Sequence, residues 1–153
     1  MLLEQGRVRA SGNAFELFAR TDLPLAHDDR AAALIEATVV TRDPAFDLTM
    51  LEFSGGRFIV PGHALPIGQK VRLRVIARDV SLTLARQTET SILNILSGRV
   101  DEIANEGGAQ VLVRLLVGDA VLLARITRKS ANQLDLRVGQ SVFAQVKSVA
   151  ILN

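Results

Sequence analysis

Hydrophobic and polar residues alternate along much of the chain, which is typical of strands with one buried face. The clearest case lies between Gln69 and Leu84. Apolar and basic positions there fall on opposite faces of one predicted strand, with Val71, Leu73, Val75 and Ala77 against Arg72, Arg74 and Arg78. The polar face predicts solvated or interface charges rather than ligands.

Short apolar or β-branched runs between glycine turns predict further strands. They cover Ala33–Thr41, Leu48–Phe53, Arg57–Val60, 98–104, 109–117, 121–127 and Ser141–Lys147, with a last extended piece through Ile151. Hairpin turns are expected at Gly55-Gly56 and Gly118-Asp119. Two short helices are also predicted, one N-capped by Asn13 and one over Lys129–Leu134 N-capped by Thr127.

The two halves of the chain resemble each other. The stretch Leu65–Val75 matches Leu136–Val146 without a gap, and a hairpin with a glycine turn precedes each copy. An imperfect repeat of a five-strand unit predicts a mainly β protein made of two small OB-type β-barrels with short helices, packed together. The expected divisions are an N-terminal helix and linker at 1–32, a first barrel at 33–88 and a second at 89–153.

Composition and charge exclude several classes of function. The 153 residues include no Cys and two His, which argues against disulfides and against a thiolate or multi-histidine metal centre. A net charge of +2 and 4% aromatic residues, all Phe, disfavour a nucleic-acid interface. The sequence contains no Walker P-loop or hydrolase motif, and His63 is expected to be a loop residue rather than a catalytic base. The fragment is therefore not expected to be an enzyme, and no apolar run is long enough to insert into a membrane.

Two polar clusters at element ends carry the candidate chemistry. Thr90, Ser91 and Asn94 precede a strand, and Lys147 with Ser148 follows the last long one. Hydroxyl, amide and ammonium donors are what a tetrahedral oxyanion needs, since it offers only acceptors. The alternative is structural, because a lone Lys usually lies on the solvent face of a strand and Ser or Thr often forms turns.

Several longer stretches resemble one family. The segments "TSILNILSGRV", "LDLRVGQSVFAQVKSVAIL" and "GQKVRLRVIARDVSL" are similar to the C-terminal region of the ATP-binding subunit of molybdate ABC transporters, which contains the TOBE or mop domain. The resemblance implies a regulatory domain that binds molybdate or tungstate, without a cofactor, and senses cytoplasmic molybdate. It also implies that the nucleotide-binding domain, and with it ATP hydrolysis, belongs to a longer parent polypeptide.

The resemblance places the family's anion-binding positions at Thr90, Ser91, Asn94, Lys147 and Ser148, with Leu93 where small mop proteins have Arg. It further implies a homodimer, contact with membrane subunits through the missing nucleotide-binding domain, and a peripheral position at the cytoplasmic side of the inner membrane. Three rivals stay open: a dimerisation scaffold without a small ligand, a free-standing oxyanion storage protein, and an OB-type nucleic-acid binder.

Overall fold

The computed structural model describes residues 31–62 and 65–152. The predicted N-terminal helix, nearly all of segment 1–32 and His63 lie outside these residues. The described part contains one α-helix, α1 (Arg128–Gln133), a 3-10 turn (Ala77–Asp79) and ten strands. The strands are β1 (Ala32–Asp43), β2 (Leu48–Phe53), β3 (Gly56–Pro61), β4 (Lys70–Ile76), β5 (Val80–Thr83), β6 (Asn94–Asn105), β7 (Gln110–Val117), β8 (Ala120–Thr127), β9 (Ser141–Val146) and β10 (Ala150–Leu152).

The strands form two five-stranded antiparallel sheets. Their spatial orders are β10-β4-β1-β2-β3 and β5-β9-β6-β7-β8. Both sheets are curled like OB-type barrels, so the predicted mainly β fold with two packed barrels is confirmed. The helices in the described part of the chain are too short to span a lipid bilayer.

Local sequence signals explain most of these elements. In β4, Val71, Leu73 and Val75 are buried while Arg72 and Arg74 are exposed, as the alternation predicts. The strand predicted from Gln69 to Leu84 is nevertheless interrupted, because the 3-10 turn separates β4 from β5. Helix α1 begins at the predicted N-cap, where the Thr127 hydroxyl accepts a hydrogen bond from the Ser130 N–H at 3.0 Å.

The sequence repeat is also a repeat of hydrogen bonds. The Gly68 N–H donates to the Val39 carbonyl at 2.7 Å, and the Gly139 N–H donates to the Val100 carbonyl at 2.7 Å. Both glycines have positive φ, 93° and 91°, a conformation that other residues rarely adopt. The register of β1 and of β6 shifts just after these valines, so both halves contain the same bulged strand.

The two sheets exchange their edge strands. Strand β5 follows β4 in the chain but pairs with β9, while β10 follows β9 but pairs with β4. Each half therefore contributes one strand to the other half's sheet. The division at 88/89 stays a prediction, and strand membership of the sheets crosses it in both directions.

The sheets share one hydrophobic core. It includes Leu51 and Phe58 from the first sheet and Leu115 and Leu122 from the second, all fully buried. The two hairpin turns also touch, since a Cβ placed on Gly118 would lie 2.6 Å from the Gly55 backbone. The Asp119 N–H donates to the Ser54 hydroxyl at 2.9 Å across this contact. Burial of both sheets in one core is how two units that are each too small for independent stability support one another.

Candidate oxyanion site

The two predicted donor clusters lie at the same end of the second sheet. Asn94, the first residue of β6, pairs with Val146, the last residue of β9. Residues 90–93 approach β6 at this end and residues 147–148 leave β9 at the same end. Antiparallel pairing therefore brings together segments that are more than fifty positions apart in the sequence.

Lys147 continues the ladder between β9 and β5. Its backbone N–H donates to the Asp79 carbonyl at 2.8 Å, which extends the β5–β9 register by one pair. The Lys147 side chain is exposed, and it forms no ion pair with any residue that the structure describes. The ammonium group is thus available to a ligand at the surface of the sheet.

Ser148 also forms a hydrogen bond with Asp79. Its hydroxyl donates to the Asp79 carboxylate at 2.9 Å, although the side chain is exposed. A carboxylate beside an anion site is unfavourable, and this hydrogen bond occupies one of the predicted donors. For an anion to use Ser148, the hydroxyl must turn away from Asp79.

Thr90 and Ser91 differ in the contacts that their hydroxyl groups make. The Thr90 hydroxyl accepts a hydrogen bond from the Ile92 N–H at 3.1 Å, which is a local turn and matches the structural alternative. As a donor, that hydroxyl can still serve a second partner, because a hydroxyl both donates and accepts. Ser91 is exposed.

Asn94 has a structural role in this arrangement. It is 7% exposed, and its amide binds the backbone of Ile59 on edge strand β3. The amide oxygen accepts from the Ile59 N–H at 2.7 Å, and the amide nitrogen donates to the Ile59 carbonyl at 3.0 Å. Asn94 therefore pairs with the outer edge of the first sheet as another strand would, and sequence spacing gave no sign of this partner 35 residues away.

Leu93 supplies no charge, and its side chain is 59% exposed. Sequence reasoning missed a cation on the same sheet. The Arg86 guanidinium lies over the Phe143 ring at 5.4 Å and donates to the Ile95 carbonyl at 3.4 Å. Because Phe143 is on β9 and Ile95 is on β6, Arg86 lies on the same sheet as Lys147, in the segment that connects β5 to β6.

Two large cavities lie elsewhere. One of about 820 Å³ is lined by residues around α1, among them Arg128 and Asn132. Another of about 610 Å³ lies beside the contacting hairpin turns and includes Arg114. Neither is lined by any of the five predicted site residues, so Lys147 does not lie in either cavity.

Comparison with known proteins agrees with this architecture. Residues 90–152 match the sequence model of the TOBE domain. The chain is 51% identical over 152 residues to the molybdenum import ATP-binding protein ModC of Albidiferax ferrireducens, an alignment that covers 99% of the chain and 41% of that protein. It is 50% identical over 155 residues to ModC of Pseudomonas aeruginosa, covering 99% of the chain and 43% of that protein.

A solved structure shares the fold. The cytoplasmic molybdate-binding protein ModG, crystallised with molybdate bound, matches with a TM-score of 0.66 and 23% identity over 77% of this chain and 93% of ModG. The chain spans about two fifths of the length of the curated relatives it matches. The chain is thus a TOBE-containing domain that belongs with the C-terminal domains of the molybdenum import ATP-binding proteins.

Proposed function

We propose that this domain binds molybdate or the nearly isosteric tungstate beside Lys147 and thereby regulates the import ATPase of which it forms a part. The observation that carries the proposal is the pairing of Asn94 with Val146, which brings Thr90 and Ser91 to the end of β9 where Lys147 and Ser148 lie. Asn94 acts in this proposal mainly by fixing the start of β6 through Ile59.

Electrostatic attraction supports a single anion site in which Lys147 is the main cation. One unit-charge attraction at about 4 Å amounts to roughly 1 kcal/mol in open water and about 4 kcal/mol at an effective dielectric near 20. Lys147 is exposed in the single chain, so its contribution stays near the lower figure until something covers it. A second chain over this end of the sheet would exclude water and raise it, which is why we propose a homodimer.

The first half lacks counterparts of Lys147 and Ser148. The pair Ala33–Val75 is equivalent to Asn94–Val146 in the repeat. Continuing that equivalence, Ile76 stands where Lys147 does and Ala77 where Ser148 does. Aliphatic side chains cannot bind an oxyanion, so the proposal assigns one site to each chain.

Regulation follows from linkage. If molybdate binds one arrangement of the paired domains more tightly, it shifts the population toward that arrangement by its difference in affinity. In the parent ATPase, which we propose works with membrane subunits at the cytoplasmic side of the membrane, this would slow import when molybdate is plentiful. ATP hydrolysis itself is assigned to the part of the parent outside this chain.

Calorimetric titration with molybdate tests the proposal. The wild-type chain is expected to bind, and Lys147→Ala to bind at least about fivefold more weakly, as the loss of roughly 1 kcal/mol or more requires. Lys129→Ala is the matched control, since Lys129 is an exposed cation on α1 and its loss changes net charge equally. Equal affinity of the Lys147 and Lys129 variants would refute the site.

The second candidate is a dimerisation scaffold without a small ligand. It is favoured by the engagement of Asn94 with Ile59 and of Ser148 with Asp79, since both donors already have protein partners. A stable dimer by light scattering, together with no heat on addition of molybdate, would establish the scaffold in place of the sensor.

A further inference from the structure

Gln145 shares a sheet face with Lys147. Val142, Ala144 and Val146 of β9 point into the core, so the alternating positions point to the opposite face. Because the β5–β9 register continues through the hydrogen bond from Lys147 to Asp79, the alternation extends to Lys147. Gln145 therefore precedes Lys147 by two positions on the same face.

The Gln145 side chain is buried, and its amide oxygen has no partner in the described part of the chain. The residue is 9% exposed, and its Oε1 atom has no hydrogen-bond partner among the residues that the structure describes. An unpaired amide atom in such a place is costly, because it has lost water and gained nothing in return. Rotation of the amide by 180° leaves its shape unchanged and places N–H donors where the oxygen lies.

The surroundings of Gln145 favour an anion. Ser81 of β5 and Ile95 of β6 flank it directly across the sheet. Arg86 donates to the Ile95 carbonyl, which places a guanidinium beside the flanking strand. Lys147 adds a second cation on the same face, and Asp79, bound by the Ser148 hydroxyl, supplies an opposing carboxylate. These groups together supply two cations and one carboxylate.

We propose that Gln145 is a further ligand-binding residue of the oxyanion site, donating its amide N–H groups to an oxygen of the tetrahedral anion beside Lys147. This inference rests on the proposed function, because it assigns an additional contact to the same ligand. After rotation of the amide, anion binding gives the N–H groups a partner at the position where the oxygen has none among the described residues. Gln145 thereby replaces part of the donor set that is lost with Leu93.

The test compares wild type with Gln145→Met, which keeps the length of the side chain and removes the amide. Molybdate affinity is expected to fall about tenfold, as for the loss of one hydrogen bond to a charged group. Thermal stability is expected to stay equal or to rise, since an unpartnered polar group is replaced by an apolar one. A variant that binds as tightly as wild type overturns the inference and leaves the proposed function standing.

An NMR experiment distinguishes direct contact of Gln145 with molybdate from a structural role. In the ¹⁵N-labelled wild-type chain, the side-chain amide signal of Gln145 is expected to shift on saturation with molybdate. The signals of the exposed Gln110 and Gln133 should not shift. An unmoved Gln145 signal in a chain that binds molybdate refutes the contact, whereas absence of any heat from wild type refutes the proposed function itself.

Discussion

Replacement of Asn94 by Ala tests whether the amide joins the two sheets. The substitution removes two hydrogen bonds, at 2.7 and 3.0 Å, and leaves the Ile59 N–H and C=O without their partner. Each bond contributes about 0.5–1.5 kcal/mol net, and an unpaired buried group costs about 1–3 kcal/mol. Because Ile59 is only half buried and water can reach part of its backbone, we expect a loss of about 2–4 kcal/mol of unfolding free energy.

Urea unfolding followed by circular dichroism measures this loss. With a slope of about 2 kcal/mol per molar urea, the midpoint should fall by about 1–2 M while the slope stays constant. Asn94→Asp is the informative second variant. It retains an acceptor for the Ile59 N–H but turns a carboxylate toward the Ile59 carbonyl, so it should not restore stability.

The control is Ser91→Ala, which removes an exposed hydroxyl from the same segment and should change stability by less than about 0.5 kcal/mol. If Asn94→Ala is as stable as the Ser91 control, the amide does not join the sheets. Full stability of Asn94→Asp would equally contradict the reasoning, since it would show that the donated bond to Ile59 contributes nothing.

Two further substitutions test the contact between the two hairpin turns and a buried ion pair within the second half. Gly55→Ala should cost about 2–3 kcal/mol in thermal unfolding, because its Cβ would lie 2.5 Å from the Val117 carbonyl oxygen. The control Gly107→Ala should cost about 1 kcal/mol, because Gly107 has a φ of 79° but open space around it. Equal costs would mean that the turns do not touch. Glu106→Gln should cost about 3–5 kcal/mol, because it leaves the Arg125 guanidinium, 3% exposed, without the carboxylate at 2.9 Å. The control Arg137→Ala removes an exposed ion pair with Asp135 and should change the urea midpoint little. Similar losses of stability in Glu106→Gln and Arg137→Ala would contradict a stabilising role for the buried ion pair.

The parts of the fold that depend on neighbours in sequence could be predicted. Alternation gave β4, and the Thr127 cap gave the start of α1. Glycines gave the hairpin turn at Gly118-Asp119 and gave the other turn to within one residue, since it lies at Ser54-Gly55 and Gly56 is already paired in β3. The repeat predicted two related barrels because the same turn, around Gly68 and Gly139, occurs in each half. These signals are local, so one stretch of chain contains all the information they need.

Contacts between distant residues could not be predicted in the same way. The strand exchange, the Asn94–Ile59 pairing and the position of Arg86 over Phe143 depend on how the halves and connecting segments come together. For the candidate site, sequence spacing gave the two segments that meet at Lys147. It did not show that Asp79 engages one donor and Ile59 another, because both lie outside the segments compared.

The exchanged strands limit how the domain can transmit a signal. The halves cannot swing apart as two rigid bodies unless the ladders of β5 with β9 and of β10 with β4 both break. The segments that lead into β5 and β10 are hydrogen-bonded to each other at Asp79 and Lys147, so a ligand bound there restrains both barrels together. A response to such an occupant must therefore appear as a change in how the whole domain meets its neighbours, and an internal hinge motion between its barrels is disfavoured.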